Sequence, residues 1–287
     1  MLSVRRTLIV VALVALAAGA AVALTLDRSE GAARPDRFDG AASWSFLKRQ
    51  VALGPRPAGS PTSRRLAAIL RSSIPQGRYQ AVPGDLRNVI GTVPGRVPGR
   101  VVVVGAHYDT KDIRGFVGAN DGASGTAVVR QLARTIKPRQ LRPTVVFVFF
   151  DGEEAPRGVP DSQFERYGLR GSKVAARSLR HAEAAIVLDF VGDRDLAIPR
   201  DGYSDRKLWS RLRLAAGRAG AARHFPAREQ GPVLDDHVPF IRAGVPAIDL
   251  IDFDFPCWHR TCDDLSAVSQ RSLDAVGETM MELLRTL

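Results

Sequence analysis

The stretch Thr144-Val145-Val146-Phe147-Val148-Phe149-Phe150-Asp151-Gly152-Glu153-Glu154 decides the fold class. An apolar run of β-branched and aromatic residues stops abruptly at Asp151, Glu153 and Glu154. Such a run predicts a buried strand delivering acids to its carboxyl end, where open α/β sheets hold their ligands. Carboxyl groups in that position are solvated in a loop, protonated, or facing a cation, because an unpaired buried charge is too costly. We read one glutamate as holding a divalent metal and the other as moving a proton. The alternative is an acidic surface turn.

Outward from this stretch the chain alternates strands with helices. Val101 to Ala106 predicts a second buried strand, ending at His107-Tyr108-Asp109. A loop with Gly115, Gly118 and Asn120-Asp121-Gly122 leads into a helix from Ala123 that ends before Pro138. Ala184 to Leu188 and Val245 to Ile251 predict further strands, the first closed by Asp189, the second followed after a longer loop by His259. Short strands are expected at Tyr79 to Val82 and Arg87 to Val93. Helices are expected from Ala42 to Leu53, from a Ser60-Pro61 start to about Ser73, and over 171–180, 204–220 and 236–243. A final helix has the face Leu273, Val276, Met280, Leu283 and Leu284. This alternation predicts one α/β domain, a mixed, mostly parallel sheet covered on both faces. Four strands lead to acids or histidines, so His107, Asp121, Glu154, Asp189 and His259 are expected to converge on one pocket. Imidazole nitrogen and carboxylate oxygen are the donors zinc takes at catalytic sites. Taken singly, Asp121 before Gly122 reads equally as a turn residue or helix cap, and His259 as a hydrogen-bonded structural histidine.

The chain has 287 residues, 45% of them apolar, enough for one large core. Its formal charge of +11 is spread over scattered arginines, without basic runs interleaved with aromatics, which argues against a nucleic-acid partner. At the N-terminus two arginines precede an uncharged apolar run from Thr7 to Leu26. Residues 1–26 therefore read as a signal-anchor or a cleaved signal peptide, giving export with the rest of the chain tethered to the extracytoplasmic face of the plasma membrane or secreted. Residues 27–40 read as a flexible linker and 41–287 as the catalytic domain, taken to be a monomer. The two cysteines, Cys257 and Cys262, suit a local disulfide in an oxidising compartment; metal thiolates are the alternative.

The segments Ala106–Thr110 (AHYDT), Ala119–Val129 (ANDGASGTAVV), Phe149–Ala155 (FFDGEEA), Tyr167–Ser172 (YGLRGS), Val187–Gly192 (VLDFVG) and Trp258–Asp264 (WHRTCDD) resemble the zinc aminopeptidase superfamily, which also contains the glutaminyl-peptide cyclotransferases. The resemblance covers roughly residues 44–287 and implies a three-layer α/β/α domain. Its aminopeptidase branch implies two zinc ions, His107 and Asp189 on one, Glu154 and His259 on the other, with Asp121 bridging. Glu153 would then be the base that activates water. The cyclotransferase branch implies one zinc ion on Asp121, Glu154 and His259. Glu153 would then carry a proton from the substrate amine to the departing amide nitrogen, Asp189 and Asp235 would form an acid network, and Trp258 and Phe255 would bind substrate.

Asp235 directly before Asp236-His237, Trp258 directly before His259, and His107-Tyr108-Asp109-Thr110-Lys111 resemble the cyclotransferases, which is the branch expected here. The wording Asn120 to Ala127 is closer to the aminopeptidases. The loop after Glu154 lacks the tryptophan of animal cyclotransferases, and His107 keeps a second metal open. The expected reaction is conversion of the N-terminal glutamine of peptides or proteins to pyroglutamate with release of ammonia. Metalloaminopeptidase activity is the alternative. A silent binding ectodomain is the third reading, against which stand the intact Glu153, Glu154 and His259.

Overall fold

A computed structural model describes residues 37–287, and Phe38–Leu287 forms one compact unit. The expectations for residues 1–26, and for most of the linker, lie outside the described residues. Among those described, no helix is long and apolar enough to cross a membrane. Residues 38–40, counted with the linker in the sequence, are part of the folded unit: Phe38 is in the core and Asp39 caps the first helix by accepting from the Ala42 N–H.

Six strands form one sheet in the order β1-β2-β4-β3-β5-β6: β1 (Arg78–Val82), β2 (Leu86–Val93), β3 (Val101–His107), β4 (Thr144–Phe150), β5 (Ala184–Asp189) and β6 (Ala247–Ile251). Strands β3 to β6 run parallel, while β2 pairs antiparallel with both β1 and β4. The mixed, mostly parallel sheet expected from the alternation is thus present. Strand β4 has the bounds read from its sequence, because both its faces are covered and no polar residue interrupts the run.

Alternation along each strand divides the core in two. Val102, Val104, Phe147, Phe149, Ile186 and Leu188 point to a large cluster with five helices: α1 (Gly40–Ala52), α2 (Pro61–Ser73), α3 (Ala123–Thr135), α6 (Arg206–Arg218) and α8 (Gln270–Thr286). Val103, Val146, Val148, Phe150 and Val187 point the other way, to α5 (Arg170–Ser178) and α7 (His237–Arg242). A one-turn helix, α4 (Phe164–Tyr167), lies in the segment after β4. Ser60 caps α2 by accepting from Ser63 N–H, with Pro61 in the first turn, as its sequence predicts.

The four parallel strands share one direction. Their carboxyl ends therefore meet along a single edge, which brings His107, the acids after Phe150, Asp189 and the loop after Ile251 together.

Candidate metal centre and its acid-lined cavity

Two loops do the positioning. At the end of β3 the Asp109 carboxylate is fully buried and accepts from the backbone N–H groups of Gly152, Glu153 and Glu154 at 3.0, 3.2 and 3.2 Å. One acid thus fixes the turn that presents two others. Across the edge, Asp263 accepts from the N–H groups of Asn120 and Asp121 at 2.7 and 3.0 Å, which ties the Asp121 loop to the segment carrying His259. Gly122 between them has φ +85°, and a Cβ there would lie 2.6 Å from the Asp109 carbonyl oxygen. Only glycine permits that approach.

The ligand atoms of Asp121, Glu154 and His259 lie within 4.8 Å of one another, and so do those of His107, Asp121 and Asp189. His259 Nε2 is 3.2 Å from Glu154 Oε1 and 3.6 Å from Asp121 Oδ2. His107 Nε2 is 3.2 Å from Asp189 Oδ1 and 3.4 Å from Asp121 Oδ1. His107 Nδ1–H donates to the Asp109 carbonyl oxygen at 3.1 Å, which leaves Nε2 as the nitrogen that faces the carboxylates. Asp121 faces both groups, as a bridging ligand would.

These donors fit a borderline cation. Asp121 Oδ2 and Glu154 Oε1 are buried without a well-formed hydrogen bond, in a place where three carboxyls and two imidazoles crowd together. The electrostatics agree. Burial and the neighbouring Glu154 charge push Asp121 well above the usual carboxyl range, and the same two causes push Glu153 well up. Burial would raise Glu154 too, but His259 and the Lys111 ammonium, 3.1 Å from Oε2, hold it below its ordinary value. Like charges this close need a proton or a cation between them.

A cavity of about 510 Å³ opens onto this group. Asp121, Glu153, Glu154, Asp189, Asp235, Trp258 and His259 all line it, so most of the expected site residues share one space. His107 lies behind Asp121 and Asp189, outside the lining. Phe255 does not reach the lining either. It is 4% exposed and stacks on Phe190 at 6.0 Å, because its side chain completes a small apolar cluster with Ile251. Phe253, two residues earlier, lines the cavity in its place.

Sequence reading did not assign roles to several side chains here. Lys111 was quoted only as part of a motif, yet its ammonium faces Glu154. Arg56 is fully buried and donates to the carbonyls of Val117 and Gly118 at 2.8 and 3.1 Å, bracing the loop before Asp121. Behind Asp235 lie Asp249 and His237, and His237 Nε2 is 3.0 Å from Asp201. A run of buried titratable groups thus backs the cavity wall. Buried acids in an apolar strand such as β6 were the available signal: Asp249 interrupts Ala-Ile-Asp-Leu-Ile.

The site also contains a disulfide, Cys257–Cys262, with Cα atoms 5.5 Å apart. It brackets Trp258 and His259. The His259 backbone is left-handed, φ +52°, and the Trp258 ring stacks on its imidazole at 4.6 Å.

Comparison with known proteins matches residues 88–284 to Peptidase family M28. A glutaminyl-peptide cyclotransferase-like protein of Mus musculus is 32% identical over 216 residues, 63% of this chain and 55% of that protein. A leucine aminopeptidase precursor from Bacteroides thetaiotaomicron superposes with TM-score 0.79 at 25% identity, covering 89% of this chain and 100% of that one. A glutaminyl cyclase from the same organism, bound to N-acetylhistamine, gives TM-score 0.78 at 26% identity, with 88% and 99% covered. The chain spans 55% to 63% of the length of eight curated relatives, each a glutaminyl-peptide cyclotransferase or a like protein.

Proposed function

The chain belongs to peptidase family M28, and we propose that it is a zinc-dependent glutaminyl-peptide cyclotransferase, closing the N-terminal glutamine of peptides to pyroglutamate with release of ammonia. The observation that carries this reading is Asp235, a further buried acid lining the same cavity as Glu153 and Asp189, beside the Asp121, Glu154 and His259 group. The curated relatives that carry the cyclotransferase name support it. The lining of the cavity supports it too. Asp121, Glu153, Glu154, Asp161, Asp189, Asp235 and Asp254 line it, and Lys111 is the one lysine or arginine of the lining, so the cavity offers carboxyl oxygens as acceptors to the amino group of a peptide N-terminus.

In this reading Asp121, Glu154 and His259 hold zinc, which when bound supplies Lewis-acid polarisation of the glutamine side-chain carbonyl. Glu153 accepts the proton of the substrate α-amine and delivers it to the leaving amide nitrogen, so that ammonia departs as the C–N bond of the ring forms. Its burial keeps the proton transfer away from solvent. Asp189 and Asp235 orient the amine through hydrogen bonds. Trp258 walls the glutamine side chain and excludes water. Holding amine and carbonyl at attack distance contributes part of the roughly 7–11 kcal/mol available from positioning. The paired cysteines and the apolar segment Thr7 to Leu26 support an exported protein.

The second reading, a metalloaminopeptidase with two zinc ions, draws on the complete His107, Asp121 and Asp189 group. Purified protein incubated with a glutaminyl peptide separates the two. Ammonia release with the peptide otherwise intact supports cyclisation, and free glutamine supports hydrolysis. Elemental analysis adds the number of zinc ions per chain.

A further inference from the structure

Away from the acid-lined cavity, arginines gather around the outer side of α2. Leu66, Ala67 and Leu70 turn this helix to the core, which leaves Arg64, Arg65 and Arg71 exposed. Towards β1 and β2, Arg71 and Arg87 both lie over the ring of exposed Tyr79, at 4.9 and 5.5 Å. At the carboxyl end of α2, Arg130 of α3 donates through Nε to Ser73 Oγ at 2.8 Å, and Arg134 donates through Nη1 to the Ser73 carbonyl at 3.2 Å. Arg130 also lies over the Phe46 ring of α1, at 4.2 Å. Burial, then the charges of Arg134 and Arg49, lower its guanidinium to about 10, which joins Arg49 of α1 to the group and leaves Arg130 a cation at neutral pH. Asp85 is the one acid paired with this group among the described residues, 2.6 Å from Arg64 and 3.7 Å from Arg87. Arg49, Arg65, Arg71, Arg130 and Arg134 make no ion pair among the described residues.

We infer that this arginine face is a docking surface for an anionic phospholipid membrane, its guanidinium groups binding the headgroup phosphates. Five uncompensated cations on three helices repel one another and call for an anionic partner. The carboxyl end of α2 offsets part of the Arg134 charge, through Ser73, and offers Arg49 and Arg65 no such contact. Because the charges are spread over α1, α2 and α3, the partner that meets them all is an extended one, and the guanidinium fork matches phosphate oxygens two at a time. No basic run is interleaved with aromatics, which disfavours nucleic acid. In naming lipid the inference rests on the export proposed above, which puts the headgroups of the membrane that the chain crosses within reach.

The test sediments the full chain with vesicles of phosphatidylcholine, with and without about 30% phosphatidylglycerol. We expect binding to the anionic vesicles to be about tenfold tighter or more at low salt, an advantage lost at high salt. R49Q, R130Q and R134Q should each weaken binding to anionic vesicles about fivefold, while R130K, which keeps the charge, retains it. R242Q removes the same charge from α7, on the other side of the sheet, and should leave binding unchanged. Equal binding of the wild-type chain to both kinds of vesicle shows uptake through the apolar run Thr7 to Leu26 alone and overturns the surface. Equal losses in R49Q and R242Q overturn it as well, because net charge then explains the binding. Displacement by inorganic phosphate beyond that by sodium chloride of equal ionic strength indicates a pocket for a single ion, and tighter binding to a short DNA duplex indicates a nucleic-acid face; either result overturns the inference. Arg49 is exposed, so melting of R49Q at the wild-type temperature separates a lost contact from a lost fold. None of these readouts uses turnover, so failure here is distinct from failure of the cyclotransferase reading.

Discussion

Glu153 and Glu154 are chain neighbours with opposite electrostatic surroundings. Glu154 meets His259 and Lys111 and is held low, while Glu153 is pushed up, first by burial and then by the Glu154 charge, with His107 opposing. The first suits a ligand and the second a proton carrier. Glu153→Gln should therefore lower turnover by a factor of about 10² or more, with zinc content by elemental analysis near wild type. His259→Ala should lose zinc. Equal loss of metal in both variants would show the two glutamates assigned the wrong way round. That one of two adjacent acids holds a metal and the other moves a proton is an expectation readable in one short motif, while which glutamate does which rests on the resemblance. The Asp263 contact to the Asp121 loop was not readable there, because its partners lie 142 and 143 positions away.

Helix α3 and the loop of His259 set the precision of the site. Helix α3 follows Asp121 directly and approaches β5 so closely that a Cβ on Gly125 would lie 2.0 Å from the Leu188 carbonyl oxygen, against immovable backbone. Gly125→Ala should cost about 1–3 kcal/mol, read as a lower denaturation midpoint, and weaken zinc binding because Asp121 moves with the helix. A substitution at exposed Gly217 in α6, where a Cβ meets nothing within 4 Å, is the control. In the second loop a left-handed histidine is locally unfavourable by about 1–2 kcal/mol, and the six-residue disulfide ring holds it there. The double change Cys257→Ser and Cys262→Ser should weaken zinc binding about tenfold or more, measured by competition with a chromophoric chelator. Unchanged affinity would mean that Trp258 stacking alone orients the imidazole. The cysteine spacing suggested the bond; the backbone conformation it constrains emerged only in the fold.

For the whole molecule, buried acids make stability depend on pH. Asp252 is raised to about 6, chiefly by burial; the Ala197 N–H opposes the shift, and Asp193 and Asp254 add to it. A carboxyl raised on folding stabilises the native state below its unfolded value near 4, and that contribution is lost as pH rises through 6. Asp252→Asn should flatten the decline of the denaturant midpoint between pH 4 and 6, by up to about 3 kcal/mol. An identical slope in the variant would place the proton elsewhere. Zinc held by the proposed site would raise the midpoint with its concentration, since a ligand bound only to the native state stabilises it.

By itself the sequence determined the α/β class, the mostly parallel sheet, the strand that carries the acids and the family. Uninterrupted apolar runs cannot be solvated, and their polar ends must gather where parallel strands finish. Only the tertiary structure decided which side chains face the cavity. Phe253 and Phe255 are two residues apart in one short turn, and nothing local distinguishes them. Phe255 completes a buried cluster with Ile251 and Phe190, while Phe253 touches Phe190 from the mouth of the cavity and stays 40% exposed. Contacts made across more than a hundred residues, such as Asp263 with Asp121, exist only once the sheet has brought its ends together.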